Sequence, residues 1–194
     1  MEERSPDRRT ARTRKAIRDA LAQLLMDREL SKVTVKDITD IADINRGTFY
    51  KHYLDIYDLY DKTEQDILVE ISDLVLRLQE LPTDKFFTEL IDYINENRTV
   101  FRMIFSPNVK VTLRTKFGKC MTGLFRQVGS EKFDIGFGDT RLRYITEYRT
   151  QGCISVISQW VTEGFTEPKE FIVGTITELD RNTEQIFRQS AGKR

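Results

Sequence analysis

Apolar residues recur along this chain three and four positions apart, the period of helices buried on one face. The pattern predicts helices throughout and no strand. The first covers about residues 8–27, with Ile17, Leu21, Leu24 and Leu25 in one stripe and Ala16, Ala20 and Ala22 allowing close packing. Before it, residues 1–7 read as a loose start ended by Ser5-Pro6-Asp7. Two short helices follow between Thr34 and Tyr53, and the pattern then lengthens. A helix over about 55–80 carries Leu59, Ile67, Leu68, Ile71, Leu74, Val75 and Leu78. Pro82-Thr83 breaks the chain, and further helices are expected over about 84–95, 100–105, 109–128, 140–164 and 168–189. Ser106-Pro107 stops the short one. Residues 129–139, with three glycines, read as a loop, and Pro168 suits a first helical turn with Thr166 as its cap.

Helix starts are densest between Val33 and Asp58. At the first, Thr34 caps, Asp37 sits three residues on as the acid of a capping box, and Val33 with Ile38 forms a hydrophobic staple. At the second, Asn45 caps and Ile44 pairs with Phe49. At the third, Asp55 caps, Asp58 is the acid, and Leu54 pairs with Leu59. Two short helices joined by the tight turn Ala42-Asp43-Ile44, with a third at once behind, form a helix-turn-helix.

The second short helix has an apolar back, Phe49 and Tyr53, and a donor-rich front. On that front Arg46 and Thr48 reach toward base edges, while Tyr50, Lys51 and His52 donate to phosphates. Gly47 lets the backbone approach a duplex. An ordinary three-helix packing unit with a solvated polar face has the same spacing, so spacing alone leaves both readings open.

The run Ile38 to Tyr53, ITDIADINRGTFYKHY, resembles the helix-turn-helix signature of the TetR/AcrR family of transcriptional regulators. Ile38, Ala42, Ile44, Gly47, Thr48, Phe49, Tyr50, His52 and Tyr53 fit it. Thr39 stands for the usual alanine, Asp43 for the turn glycine, Asn45 for a serine cap, and Ile56-Tyr57 for a lysine-glutamate pair. The resemblance implies an all-α chain, with a three-helix DNA-binding domain over 1–56 and a helical ligand-binding and dimerisation domain over 57–194. It implies DNA contacts from Arg14, Thr34, Asn45, Arg46, Gly47, Thr48, Tyr50, Lys51 and His52.

Formal charge is zero over 194 residues, which fits a DNA binder only once it is divided. Through Tyr53 there are 12 Lys/Arg against 9 Asp/Glu, and from Leu54 onward 19 against 22. The leading end of the first helix, with Arg8, Arg9, Arg12, Arg14 and Lys15, concentrates the excess. A local patch is what phosphate binding needs. Cys120 and Cys153 lack metal spacing and read as reduced small side chains of a cytoplasmic protein, with a redox pair as the alternative. His52 is the only histidine, so there is no material for a histidine-based metal site or triad elsewhere. No enzyme, cofactor or membrane span is expected.

The last two helices carry small residues among large ones. Gly152, Ser155, Trp160, Phe171, Ile176 and Leu179 are the candidate seam of a homodimer, as the resemblance implies. Residues 148–179 also resemble the C-terminal domain type frequent in Gram-positive members. Phe86, Tyr93, Phe101, Phe105, Phe117, Phe125, Tyr144 and Tyr148 are candidates for an apolar effector pocket, or plain core. The reading is a homodimeric regulator of an operator in double-stranded DNA, a repressor released when a small-molecule effector tilts the 55–80 helix. The alternatives are a co-activator working with a protein partner and a helical small-molecule binding protein.

Overall fold

The computed structural model describes residues 6–78, 80–106, 108 and 111–191. Among these the chain is all-helical. The helices are α1 (Pro6–Asp27), α2 (Val35–Ile41), α3 (Arg46–Tyr50), α4 (Ile56–Leu78), α5 (Thr83–Glu96), α6 (Arg98–Phe105), α7 (Val111–Phe133), α8 (Thr140–Thr162) and α9 (Lys169–Ala191). A single 3-10 turn, Leu30–Lys32, separates α1 from α2. Pro6 and Asp7, expected in the loose start, belong to α1. The expected stop at Pro107, the start at Val109 and the side chain of Ile186 lie outside the described residues. None of the described helices is long and apolar enough to cross a membrane.

The chain forms two compact units, one of residues 1–67 with 99–111 and one of 68–98 with 112–194. In the first, α1 packs on α2 and α2 on α3. Its core takes Ile17, Leu21 and Leu25 from α1, Ile38 from α2, Phe49 from α3 and Leu59 from α4, each fully buried. Although α6 follows α5 in sequence, its residues from Thr99 onward belong here, and Phe101 and Phe105 are core side chains of this unit. The carbonyls at the end of a helix lack intrahelical partners. Those of α1 are met from about eighty positions away: Ser106 Oγ donates to Leu25 O at 3.1 Å and Asn108 Nδ2 to Met26 O at 2.8 Å.

In the second unit α9 packs against both α5 and α8. Arg149 on α8 grips Asp180 on α9 through two parallel bonds of 2.8 Å, with Asp180 only 5% exposed. Lys169 donates to Asp92. The turn after α8 takes Gly164 and Phe165 to φ 81° and 62°, and it folds the Phe165 ring edge-on to Trp160 at 4.7 Å. Three expectations are corrected here. Gly129 lies inside α7 rather than in a loop, since a Cβ there would stand 3.3 Å from Leu142 Cδ1, so the glycine serves close packing. The connection is shorter, 134–139, and keeps the other two glycines. Thr166 does not cap α9: Pro168 stands next to its first residue, and the Pro168 carbonyl takes the amides of Phe171 and Ile172.

Candidate nucleic-acid interface

The turn between α2 and α3 depends on Asp43, which takes φ 51°. A short polar side chain tolerates this left-handed conformation where a bulky one would not. Ile44 N then reaches back to Thr39 O at 3.1 Å and closes the turn. The expected caps are present on either side. Thr34 Oγ accepts from Asp37 N at 3.2 Å while Asp37 Oδ2 accepts from Thr34 N at 2.9 Å. The Thr34 hydroxyl, then its amide, and more weakly Arg28 at 3.4 Å hold the Asp37 carboxyl below its ordinary value. Asn45 Oδ1 accepts both the amide and the hydroxyl of Thr48, each at 3.1 Å. At the third start Asp55 Oδ1 accepts from Asp58 N at 2.8 Å, but Asp58 returns to Leu54 N, one residue earlier than a strict box. The Leu54–Leu59 staple fails, because Leu54 is 80% exposed.

These constraints fix which way α3 faces. Phe49 is fully buried and Tyr53 nearly so, their rings 5.7 Å apart. Arg46, Gly47, Tyr50 and Lys51 are exposed on the other side, with Thr48 and His52 half-buried. Among the described residues the structure shows no side-chain hydrogen bond or ion pair for Arg46 or Lys51, while the Lys51 amide bonds to Phe49 O. Nothing in the chain requires Gly47 either, since a Cβ there would make only an ordinary 3.5 Å contact with Asn45 Oδ1. Thr34 and Asn45 are exposed but commit their side-chain oxygens to capping.

Arg14, expected among the DNA contacts, also has a partner within the chain. Its guanidinium meets Asp66 Oδ2 on α4 at 3.1 Å, and the Tyr53 hydroxyl followed by Asp66 raises it above its ordinary value. Lys15 pairs with Asp19 at 2.9 Å, one turn along α1. Arg9 and Arg12 are exposed; the Arg8 side chain lies outside the described residues.

The aromatic set expected to line one pocket is dispersed. Phe86 and Phe125 share a small cavity of about 60 Å³ with Val75, Phe87, Arg149 and Asp180. Phe101 and Phe105 lie in the other unit, and Phe117 is buried in α7 without lining that cavity. Tyr93 donates to Glu70 at 2.9 Å on an open hollow. Tyr144 and Tyr148, 66% and 74% exposed, face away from any interior. Tyr148 instead edges a groove of about 340 Å³ between α8 and α9, with Gly152, Val156, Ile176 and Leu179. Of the residues expected at a seam, Gly152, Ser155, Phe171 and Leu179 are exposed along α8 and α9. Trp160 and Ile176 are not: both are buried within the chain, and Trp160 Nε1 donates to Glu167 O at 2.9 Å.

Residues 83–181 match the family model TetR_C_8, described as a transcriptional regulator C-terminal region. The chain belongs to the TetR family of transcriptional regulators. Its match to the uncharacterized HTH-type transcriptional regulator YxbF of Bacillus subtilis is 36% identical over 72 residues, 37% of this chain and 19% of that relative's length. This TetR-family chain therefore spans only about a fifth of that curated relative. Among solved structures it superposes on the dihydroxyacetone kinase operon activator DhaS with a TM-score of 0.60 and 18% identity, covering 90% of this chain and 97% of the other. On the fatty acid degradation regulator FadR of Bacillus halodurans the TM-score is 0.65 with 14% identity, covering 92% and 96%. At such identities the likeness concerns the TetR-type fold.

Two residues of the interface unit escape a reading for DNA contacts. On α4, Asp66 pairs with Arg14 of α1 and Lys62 touches Asp58, the His52 carbonyl and the Tyr53 ring; only the Asp58–Lys62 spacing of four, a helical ion pair at 2.9 Å, marks either in the sequence.

Proposed function

We propose that this chain is a DNA-binding transcriptional regulator that acts as a homodimer on a two-fold operator. The observation that carries the reading is the sidedness of α3: Phe49 and Tyr53 face inward while Arg46, Tyr50 and Lys51 are exposed, Tyr50 resting edge-on against Phe49. Arg46 reads base edges and Lys51 holds phosphate. Gly47 leaves room for the duplex backbone. A five-residue helix reads few bases, so selectivity requires a second copy.

The α8–α9 groove supports the second copy. It is apolar, and the exposed Phe171 and Leu179 extend the same two helices. Such a face on both subunits makes a self-complementary contact. Repression is the simplest mode, since a bound dimer blocks a promoter by occupancy alone. An effector enters through the cavity beside Phe86 and Phe125. Ligand pockets span roughly 300–1,000 Å³, so a cavity of about 60 Å³ must widen to take one. Binding then selects a second arrangement of the helices, and α4, which belongs to both units, is the continuous element that carries the change to α3.

The test begins with duplexes enriched by the protein from a random pool. Arg46→Ala is expected to weaken binding to the enriched sequence by about 1–3 kcal/mol and binding to unrelated duplex much less. Lys51→Ala is expected to weaken both, lowering the slope of log affinity against log salt by about one. Enrichment of no sequence at all would remove the reading.

A further inference from the structure

The pose of α3 needs an explanation that α3 does not contain. Five residues cannot hold a helix by themselves, because nucleation costs more than one turn returns. The front end is held by the Asn45 cap. The back end runs into residues 51–55, where the amides of His52 and Tyr53 still bond to Phe49 O at 2.9 and 3.0 Å before the chain turns away.

Lys62, two turns into α4, reaches under this segment. Its Nζ donates to Asp58 Oδ2 at 2.9 Å, makes a longer contact of 3.5 Å to His52 O, and lies 5.6 Å from the centre of the Tyr53 ring. An ammonium has three donors and attracts the face of an aromatic ring within about 6 Å. Asp58 Oδ2 also accepts from Leu54 N at 2.9 Å, so one carboxylate oxygen ties both the lysine and the backbone leaving α3. On the α1 side Arg14 bonds Asp66 of α4 at 3.1 Å, and the Tyr53 hydroxyl nearby raises its guanidinium above its ordinary value. Tyr53 is 4% exposed and packs on Phe49, the buried side of the reading helix. Tyr53 and the segment wrapped on Lys62 thus tie α4 to the back of α3, beside the packing of α2 on α3.

We propose that Lys62 is a positioning residue for DNA recognition: its ammonium, seated among the Asp58 carboxylate, the His52 carbonyl and the Tyr53 ring, sets the pose in which α3 meets the duplex. The inference rests on the reading that α3 faces DNA. Arg14 lies in the basic N-terminal stretch and Lys62 just beyond it, where a lysine or arginine is otherwise assigned to phosphate. Each side chain is 44–48% exposed, yet its charged end is bonded to a carboxylate of the chain.

The experiment uses the full chain and the duplexes it enriches from a random pool, with an unrelated duplex of equal length as the nonspecific probe. Lys62→Met keeps the aliphatic stem and removes the charge. It is expected to lower affinity for the enriched duplex roughly tenfold or more, as loss of aligned base contacts does. Nonspecific affinity and its salt slope are expected to stay near wild type, and amides 48–55 to exchange faster than those of α1. Lys62→Arg, which keeps cation, donors and ring contact, is expected to recover much of the loss. Should circular dichroism show Lys62→Met unfolded, Asp58→Asn carries the same comparison. Equal losses on both duplexes with a slope lowered by about one would make Lys62 a phosphate contact and overturn the proposal. Unchanged binding and exchange would overturn it too. A wild-type protein that enriches no sequence would sink the reading of α3 and this inference together.

Discussion

Asp43 holds a left-handed backbone with φ 51°, in a turn where the family carries glycine. A left-handed L-residue costs about 1–2 kcal/mol, less when a short polar side chain helps. Asp43→Gly is therefore expected to raise stability by about 0.5–1 kcal/mol. Asp43→Val, β-branched at the same φ, is expected to lower it by more than that. Urea titrations of the two variants check the sign at each. Equal stabilities would mean the turn adjusts its backbone freely. Cys153 offers a contrast in how much context decides: burial, with Asp180 nearby, pushes its thiol up to about 12, so it stays protonated at neutral pH. By sequence it reads as a reduced small side chain without metal spacing, with a redox pair as the alternative.

At the scale of elements, α7 and α8 meet where Gly129 lies 3.3 Å, by a Cβ built on it, from Leu142 Cδ1. Alanine there trades a helix-propensity gain of about 1 kcal/mol against a contact that Leu142 must relieve, so the two nearly cancel. Gly129→Leu cannot be relieved by a small shift. It is expected to cost about 1–3 kcal/mol as overpacking, read from the urea midpoint. A cost near zero would return Gly129 to the loop that glycine density suggests. The helical pattern ended α7 near Val128 because glycine normally punctuates. Tertiary packing overrides that rule when the missing side chain is what lets two helices approach. The opposite happened at Leu54, whose staple partner Leu59 is buried while Leu54 itself stays in solvent.

For the molecule as a whole, assembly through α8 and α9 can be tested without risking the fold. Gly152 is exposed and a Cβ there meets nothing within 4 Å, so a large side chain fits the isolated chain. Gly152→Trp is expected to keep the helical content and melting profile while sedimentation shifts from dimer to monomer, with operator binding lost alongside. A wild-type protein that sediments as a monomer at micromolar concentration yet binds the enriched duplex tightly would sink the dimer. Were the variant to remain dimeric, the seam would lie elsewhere. Trp160 is unsuited to the same test, since its ring belongs to the chain's own core.

Much of the interface unit was legible in residue order, because caps, staples and turns act over three to five positions. Thr34 with Asp37, Asn45 with Thr48, and the inward Phe49 and Tyr53 all follow from local chemistry. So did the all-helical class and most helix bounds, which rest on period. Contacts between distant positions were decided only in three dimensions. Arg14 looks like one more cation of a basic patch until α4 brings Asp66 beside it. Phe101 and Phe105 look like their aromatic neighbours until α6 proves to belong to the first unit. Periodicity states that a residue faces inward, but not which interior it enters, since that depends on partners up to eighty positions away that local energetics does not encode.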